Sequence, residues 1–176
     1  MRLGRRLFAL ALPLFLLIPA YPAISVRMFQ WREPMYRVPL EQGIPVAIRQ
    51  DAYGSGLFRA RRSGGRWHRG LDLKAPVGTL VLAAKSGTVA IGRIHNGMGR
   101  YVEVHHLDGT TALYGHLKTI AVRDRQRVKR GEFLGTVGKS GNARRRIIQP
   151  HLHFEVWNET GMPVDPLGVM DLEDHG

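Results

Sequence analysis

One stretch decides how this 176-residue sequence folds: His151-Leu152-His153-Phe154-Glu155-Val156. Side chains alternate between the two faces of a β-strand, so His151, His153 and Glu155 share one face while apolar side chains occupy the other. Residues two apart on a strand lie about 6.6 Å from each other, which lets the two imidazoles address one small volume. The stretch therefore predicts a strand with a chemical face and a core face.

Short apolar alternations of the same kind recur between turn signals from residue 44 onward. They lie at Leu71–Leu73, Leu80–Ala84, Thr88–Ile91, Tyr101–Val104, Thr111–Leu113 and Phe133–Val137. Asn96-Gly97 and Asp108-Gly109 tolerate the positive φ of tight turns, so a hairpin is predicted at each. The pattern predicts an all-β fold, a compact antiparallel β-sheet or sandwich that forms a single domain over residues 45–168.

The composition limits the kinds of partner and metal site. The formal net charge is +12, which fits nucleic acid, a membrane surface or an acidic polymer as partner, and fits equally well a basic composition with no such partner. The sequence contains no cysteine, so disulfides and thiolate ligands are excluded. Any metal ion must be held by histidine, aspartate or glutamate.

The N-terminus has the order of a secretory signal. Arg2, Arg5 and Arg6 precede a run without charged residues from 7 to 24. Residues 1–24 are therefore predicted as either a cleaved signal peptide or a retained membrane anchor, with membrane contact in the second case. Both alternatives place the protein in the periplasm or cell envelope. Residues 25–44 are predicted as a linker or a strap on the domain, and residues 169–176 as an acidic tail.

Two further segments carry candidate ligands. His68 and Asp72 would lie about 13 Å apart in an extended chain, too far to share a metal with bonds of roughly 2 Å, so the chain must curl between them. Gly70 can supply the bend. Taken alone, this pentapeptide fits better with an aspartate that caps a turn beside a surface histidine. His116 ends a predicted strand, where catalytic side chains are often displayed.

The other histidines have no comparable support from neighbouring residues. We interpret four of them as structural or solvent-facing: His95, His105, His106 and His175.

With these segments in place, the sequence resembles the lysostaphin-like, or LytM-type, zinc metallopeptidases. The resemblance covers residues 54–166 and rests on four segments in order, which are His68-x-x-x-Asp72, Tyr114-x-His116-Leu117, the glycine pattern from Val128 to Gly141, and His151-x-His153. It implies a compact antiparallel β fold that binds one zinc ion.

The resemblance also implies which residues do what. His68, Asp72 and His153 would hold the zinc, and His116 and His151 would be the catalytic pair. Two histidines, one carboxylate and an open position are typical of a catalytic rather than a structural zinc site.

The expected mechanism gives proton transfer to a histidine. The H-E-x-x-H motif, with its glutamate base, is absent. His151 is the first choice for general base, and His116 would either donate to the developing oxyanion or share the proton. Glu155 could orient a neighbouring ligand, but an exposed ion pair is the preferred interpretation.

The resemblance implies that the substrate is a peptide bond of peptidoglycan stems or cross-links. Two arginine-rich segments, Arg59–Arg66 and Arg144–Arg146, are predicted to wall the cleft. A catalytically silent wall-binding or amidase-activating module of the same fold is the main alternative. A nucleic-acid partner is not expected, because the chain carries an export signal and no recognised nucleic-acid motif.

Overall fold

The computed structural model describes residues 21–173. Residues 21–32 are helical, and the chain from Met35 onward is a separate compact unit. Most of the predicted signal or anchor segment, residues 1–24, lies outside the described residues. Within the described part of the chain, no helix combines the length and apolar character that crossing a membrane requires.

The unit that begins at Met35 consists of β-strands and three short 3-10 turns. The strands in chain order are β1 (Tyr36–Arg37), β2 (Gln50–Asp51), β3 (Gly54–Ser55), β4 (Leu71–Lys74), β5 (Leu80–Leu82), β6 (Gly87–Ile94), β7 (Gly99–His105), β8 (Thr111–Gly115), β9 (Leu117–Ile120), β10 (Arg127–Val128), β11 (Phe133–Val137), β12 (His151–Trp157), β13 (Pro163–Val164) and β14 (Met170–Asp171). The 3-10 turns are Ser63–Gly65, Gly141–Arg144 and Pro166–Gly168.

The main sheet has seven antiparallel strands in the order β10-β6-β7-β8-β12-β13, with β4 also paired to β12. A smaller sheet has the order β5-β11-β9. Both predicted hairpins are present, since β6 pairs with β7 across Asn96-Gly97 and β7 pairs with β8 across Asp108-Gly109. The predicted all-β antiparallel fold is confirmed.

Strand β12 separates the core from the candidate site, as the alternation predicts. Leu152 and Phe154 are fully buried on its apolar face and belong to the hydrophobic core. Leu71 and Leu73 of the neighbouring strand β4 join the same core. His151 and His153 lie on the other face of β12, so the core on one side fixes where the two imidazoles point.

The domain extends beyond the predicted limits of residues 45 and 168. Tyr36 pairs with Met170 between the parallel strands β1 and β14, and Leu40 bridges to Val81 of β5. Tyr36, Val38, Leu40 and Met170 are all buried in the core. Part of the predicted linker and the start of the predicted acidic tail therefore belong to the domain, because their apolar side chains cover one side of its core.

The physical reason for glycine at position 70 is not the bend that the sequence predicts. Gly70 is not among the residues with positive φ. Instead, a Cβ at Gly70 would collide with the carbonyl oxygen of Phe154 and lie 2.7 Å from Cγ of Glu155. Gly70 is therefore needed because the chain that connects His68 to β4 passes directly against β12.

We expect Gly70→Ala to destabilise the domain by about 1–3 kcal/mol, because backbone atoms of β12 must move to admit the methyl group. Gly168→Ala is the matched control, since a Cβ at Gly168 would meet open space. Urea unfolding of both variants measures the free energy of unfolding. Equal stability of the two variants would contradict the close approach at Gly70.

Candidate metal centre and catalytic cleft

The candidate ligands come together because β12 lies between β4 and β8. His153 lies opposite Asp72 of β4 on one side and opposite Gly115 of β8 on the other. The chain leaves β8 through His116, which joins it to β9. His68 is held just before β4, where its backbone N–H donates to the carbonyl of Ala60.

Three donor atoms of the predicted metal ligands surround one small space. Asp72 Oδ1 lies 3.1 Å from His68 Nε2 and 2.8 Å from His153 Nδ1, and the two nitrogens are 3.1 Å apart. Zinc bonds of about 2.0–2.1 Å at tetrahedral angles place donors about 3.3 Å from one another. The spacing and the chemistry of this donor set therefore fit a zinc ion held by His68, Asp72 and His153.

The opposite nitrogen of each ligand ring is held by an acceptor. His68 Nδ1 lies 2.8 Å from the carbonyl oxygen of Leu57, so this nitrogen must be the donor. His153 Nε2 donates to Oε1 of Glu155 at 2.9 Å. These bonds leave the second nitrogen of each ring, His68 Nε2 and His153 Nδ1, facing Asp72, and each of these nitrogens offers a lone pair to a metal when its ring is neutral.

His153 lies between two carboxylates. Burial alone would lower its pKa, but hydrogen bonds with Asp72 and Glu155 raise the pKa of His153 to about 9. In the metal-free protein the ring is therefore protonated at neutral pH. A metal ion that binds here must displace the proton from Nδ1.

Asp72 is held from behind by two arginines that were not predicted as site residues. Its Oδ2 accepts from Nε and Nη2 of Arg49, at 3.1 and 3.0 Å, and from Nη2 of Arg62 at 2.8 Å. Burial would raise the pKa of Asp72, but the hydrogen bond from His153 holds it well below its usual range. The carboxylate is therefore ionised, with Oδ1 facing the histidines.

The predicted catalytic histidines lie beside this cluster. Nδ1 of His116 donates to the carbonyl of Ser140 at 2.9 Å, and Nδ1 of His151 donates to the carbonyl of Gln149 at 2.7 Å. Burial lowers the pKa of His116 to about 3 and that of His151 to about 4. Both rings are therefore neutral at physiological pH and keep a lone pair on Nε2.

The two rings are close to each other and to the ligand cluster. The ring centroids of His116 and His151 are 4.9 Å apart, and His151 Nε2 is 3.8 Å from Asp72 Oδ1. His116 has a φ of 62°, a left-handed conformation that is uncommon outside glycine. Such a conformation at a cleft residue is typical of a functional constraint.

The expectation that Glu155 forms an exposed ion pair is wrong. Glu155 is only 2% exposed, and its two carboxylate oxygens accept hydrogen bonds from His153 Nε2 and from Trp157 Nε1. Asp72 is also only 2% exposed, although it faces away from the core. Neighbouring loops cover this face of the sheet, which a strand alternation cannot reveal.

The two arginine-rich segments differ in where their side chains point. Arg62 turns inward to Asp72, whereas Arg144 and Arg145 are exposed. Arg145 donates to the hydroxyl of Tyr53 at 2.8 Å, and Arg144 donates to the carbonyl of His95. The exposed pair therefore joins the loop that leads to His151 to the chain segments at Tyr53 and His95.

The four remaining histidines take no part in the cluster within the described residues. His95 and His105 are exposed. His106 is buried, donates to the carbonyl of Ser86 and packs edge-on against Tyr36. His175 lies outside the described residues.

Two curated relatives match part of this chain. The cell division protein DipM of Caulobacter vibrioides is 39% identical over 112 residues, which cover 60% of this chain and 18% of that protein. The peptidoglycan DD-endopeptidase ShyC of Vibrio cholerae is 40% identical over 88 residues, which cover 50% of this chain and 19% of that protein. This chain thus spans about a fifth of the length of these relatives.

Two solved structures share the fold. A zinc containing peptidase from Vibrio cholerae superposes with a TM-score of 0.57 at 32% identity, over 74% of this chain and 40% of that chain. The catalytic domain of lysostaphin from Staphylococcus simulans superposes with a TM-score of 0.53 at 25% identity, over 80% of this chain and 95% of that chain. The resemblance to lysostaphin-like peptidases is confirmed.

The family model described as Peptidase family M23 matches residues 66–166. This range includes five clustered residues: His68, Asp72, His116, His151 and His153. Because the match covers more than half of the sequence, the chain belongs to peptidase family M23.

Proposed function

We propose that this chain is a zinc-dependent endopeptidase that hydrolyses peptide bonds in the stems or cross-links of peptidoglycan. The observation that carries the proposal is the complete donor set of His68, Asp72 and His153 beside two neutral histidines. One relative is named as a peptidoglycan DD-endopeptidase and one structural neighbour as a zinc containing peptidase, which supports both halves of the proposal.

The metal would be held by His68, Asp72 and His153. Zinc in that position supplies a Lewis acid for the scissile carbonyl and lowers the pKa of a water molecule to near neutrality. The arginines behind Asp72 keep its Oδ1 turned toward the two ligand nitrogens. The protein's own contribution to binding is thus a donor set that is ordered before the metal arrives.

His151 is the proposed general base. Its Nδ1 proton is committed to the carbonyl of Gln149, so Nε2 is the nitrogen that can accept a proton from the attacking water. The Gln149 carbonyl then stabilises the positive charge of the imidazolium, because the Nδ1–H bond to it is retained. The same Nε2 can pass its proton to the leaving amine.

His116 has the same tautomer, which favours one of its two expected roles. With its proton on Nδ1, a neutral His116 presents a lone pair at Nε2 and cannot donate to an oxyanion from that atom. Sharing the proton is the role that fits, since the ring lies edge-on to His151. His116 becomes a donor only after it has received a proton.

The cell envelope is the proposed location. Relatives of this chain include a cell division protein and a peptidoglycan endopeptidase, and the N-terminal sequence has the order of an export signal. Carboxylates of peptidoglycan stems are suitable partners for a protein with a formal net charge of +12. If the N-terminal segment is retained, it would bring the domain to the membrane surface.

The first test measures zinc content and peptidoglycan digestion on one preparation. We expect one zinc ion per chain, release of peptide fragments from purified peptidoglycan, and loss of that activity on chelation with recovery on adding zinc. A protein that binds zinc and peptidoglycan but releases no fragments would instead be the silent wall-binding module. An active metal-free protein would refute the zinc mechanism.

The second test separates two histidines on the same strand face. His153→Ala removes a ligand, so it should lose both zinc and activity. His151→Ala should keep zinc but lose about 10²–10⁴ in rate, the usual contribution of a positioned base. Metal analysis beside a turnover assay decides the assignment, and retention of zinc only by His153→Ala would reverse it.

The third test concerns the exposed arginines Arg144–Arg146. Replacing all three by glutamine should raise KM for anionic peptidoglycan fragments at low salt, with zinc content unchanged and the difference shrinking as salt rises. The same charge change at Arg123, Arg125 and Arg127 is the control. These exposed residues lie beside the end of β6 remote from the 95–98 hairpin, so the control should leave KM unchanged.

A further inference from the structure

A buried arginine connects the candidate metal centre to a second carboxylate. Arg49 is 4% exposed and uses all three guanidinium nitrogens. Nε and Nη2 donate to Oδ2 of Asp72, and Nη1 donates to Oδ1 of Asp51. The planar fork therefore holds the two carboxylates in a fixed relative position.

Asp51 in turn holds the loop that leads to His151. Its Oδ2 accepts from the backbone N–H of Gln149 at 3.0 Å, and its Oδ1 accepts from the backbone N–H of Tyr53. The carbonyl of the same Gln149 accepts from Nδ1 of His151 at 2.7 Å. One chain of contacts thus runs from Asp72 through Arg49, Asp51 and Gln149 to His151.

We propose that Arg49 and Asp51 are positioning residues, which fix the metal-facing carboxylate of Asp72 and the imidazole of His151 relative to each other. This inference rests on the proposed function. Neither residue belongs to the donor set of His68, Asp72 and His153, and each acts through the group that it holds. The pair acts on both the ligand and the base because Gln149 uses its N–H for Asp51 and its carbonyl for His151.

Charge balance gives Asp51 a second effect. A lone arginine so close to a metal ligand would oppose the binding of a divalent cation, whereas Arg49 paired with Asp51 adds little net charge. The side chains of both residues are almost completely buried, so water screens their charges only weakly. Asp51 therefore favours metal binding both by orienting Arg49 and by offsetting its charge.

Two variants test the pair, one at the fork of Arg49 and one at the charge of Asp51. Arg49→Lys keeps the positive charge but loses the fork that grips Oδ2 at two points. Asp51→Asn keeps the shape but removes the negative charge, and its amide group turns N–H donors toward the donors of Arg49 or Gln149. The control is Lys85→Met, which breaks the Lys85–Asp108 ion pair, also with both side chains almost completely buried.

The experiment measures zinc affinity by competition with a chromophoric chelator, and kcat and KM on peptidoglycan fragments at saturating zinc. We expect Arg49→Lys and Asp51→Asn each to weaken zinc affinity about 10–100-fold. Each should also lower kcat at saturating zinc by about tenfold or more, with KM nearly unchanged. Lys85→Met should lower the melting temperature without changing zinc affinity.

The outcomes separate this inference from the proposed function. A wild-type protein that binds no zinc overturns both. A wild-type protein that binds zinc and digests peptidoglycan, beside folded Arg49→Lys and Asp51→Asn variants whose zinc affinity and kcat stay within about twofold, overturns only the positioning role. Equal loss of zinc affinity in Lys85→Met would also overturn it, because the effect would then be one of general stability.

Discussion

The candidate site depends on the antiparallel register between β4 and β12, in which His153 lies opposite Asp72. A slip of one residue would turn every side chain of β12 to the other face and bury the imidazoles in the core. The register is held by Leu152 and Phe154, which are fully buried, and by the close passage of Gly70 along β12. The hydrophobic core therefore specifies the geometry of the polar face. Only one register of β4 and β12 buries Leu152 and Phe154 and also lets Gly70 pass along β12.

The polar face is itself buried, which would be unfavourable if its groups were unpaired. Each imidazole instead has one nitrogen held by an acceptor, a backbone carbonyl for His68, His116 and His151 and a carboxylate for His153. The second nitrogen of His68, His116 and His151 keeps a lone pair, and that of His153 lies 2.8 Å from Asp72 Oδ1. The hydrogen bonds that satisfy the buried rings are thus the same bonds that set their tautomers.

The sequence predicts the parts of this arrangement that have a local signal. The alternation at 151–156 and the Asn96-Gly97 and Asp108-Gly109 turns indicate their strands and hairpins because the period of two and the positive-φ tolerance act over a few residues. Two-residue strands such as β1 and β14 have no such signal, since tertiary packing alone forms them.

The charged network of Arg49 and Asp51 behind the ligands was not predicted, because its contacts join residues that are far apart in the sequence. Arg49 reaches Asp72 across 23 positions of sequence, and Asp51 reaches Gln149 across 98. The one local sign was that Arg49 and Asp51 are two positions apart, which places opposite charges on one face if the segment is extended. That pattern is common on solvated surfaces, so only the fold shows that Arg49 and Asp51 form a buried ion pair rather than an exposed one.

The surroundings of the histidines explain how one residue type takes two roles in one cleft. Two carboxylates flank His153 and raise its pKa to about 9, so this position attracts positive charge, whether a proton or a metal ion. His116 and His151 are anchored by neutral carbonyls, and burial lowers their pKa values to about 3 and about 4. These two positions hold neutral rings with a free lone pair. Between His153 and His151, which share one strand face, the placement of carboxylates rather than the histidine motif itself therefore separates the proposed ligand from the proposed base.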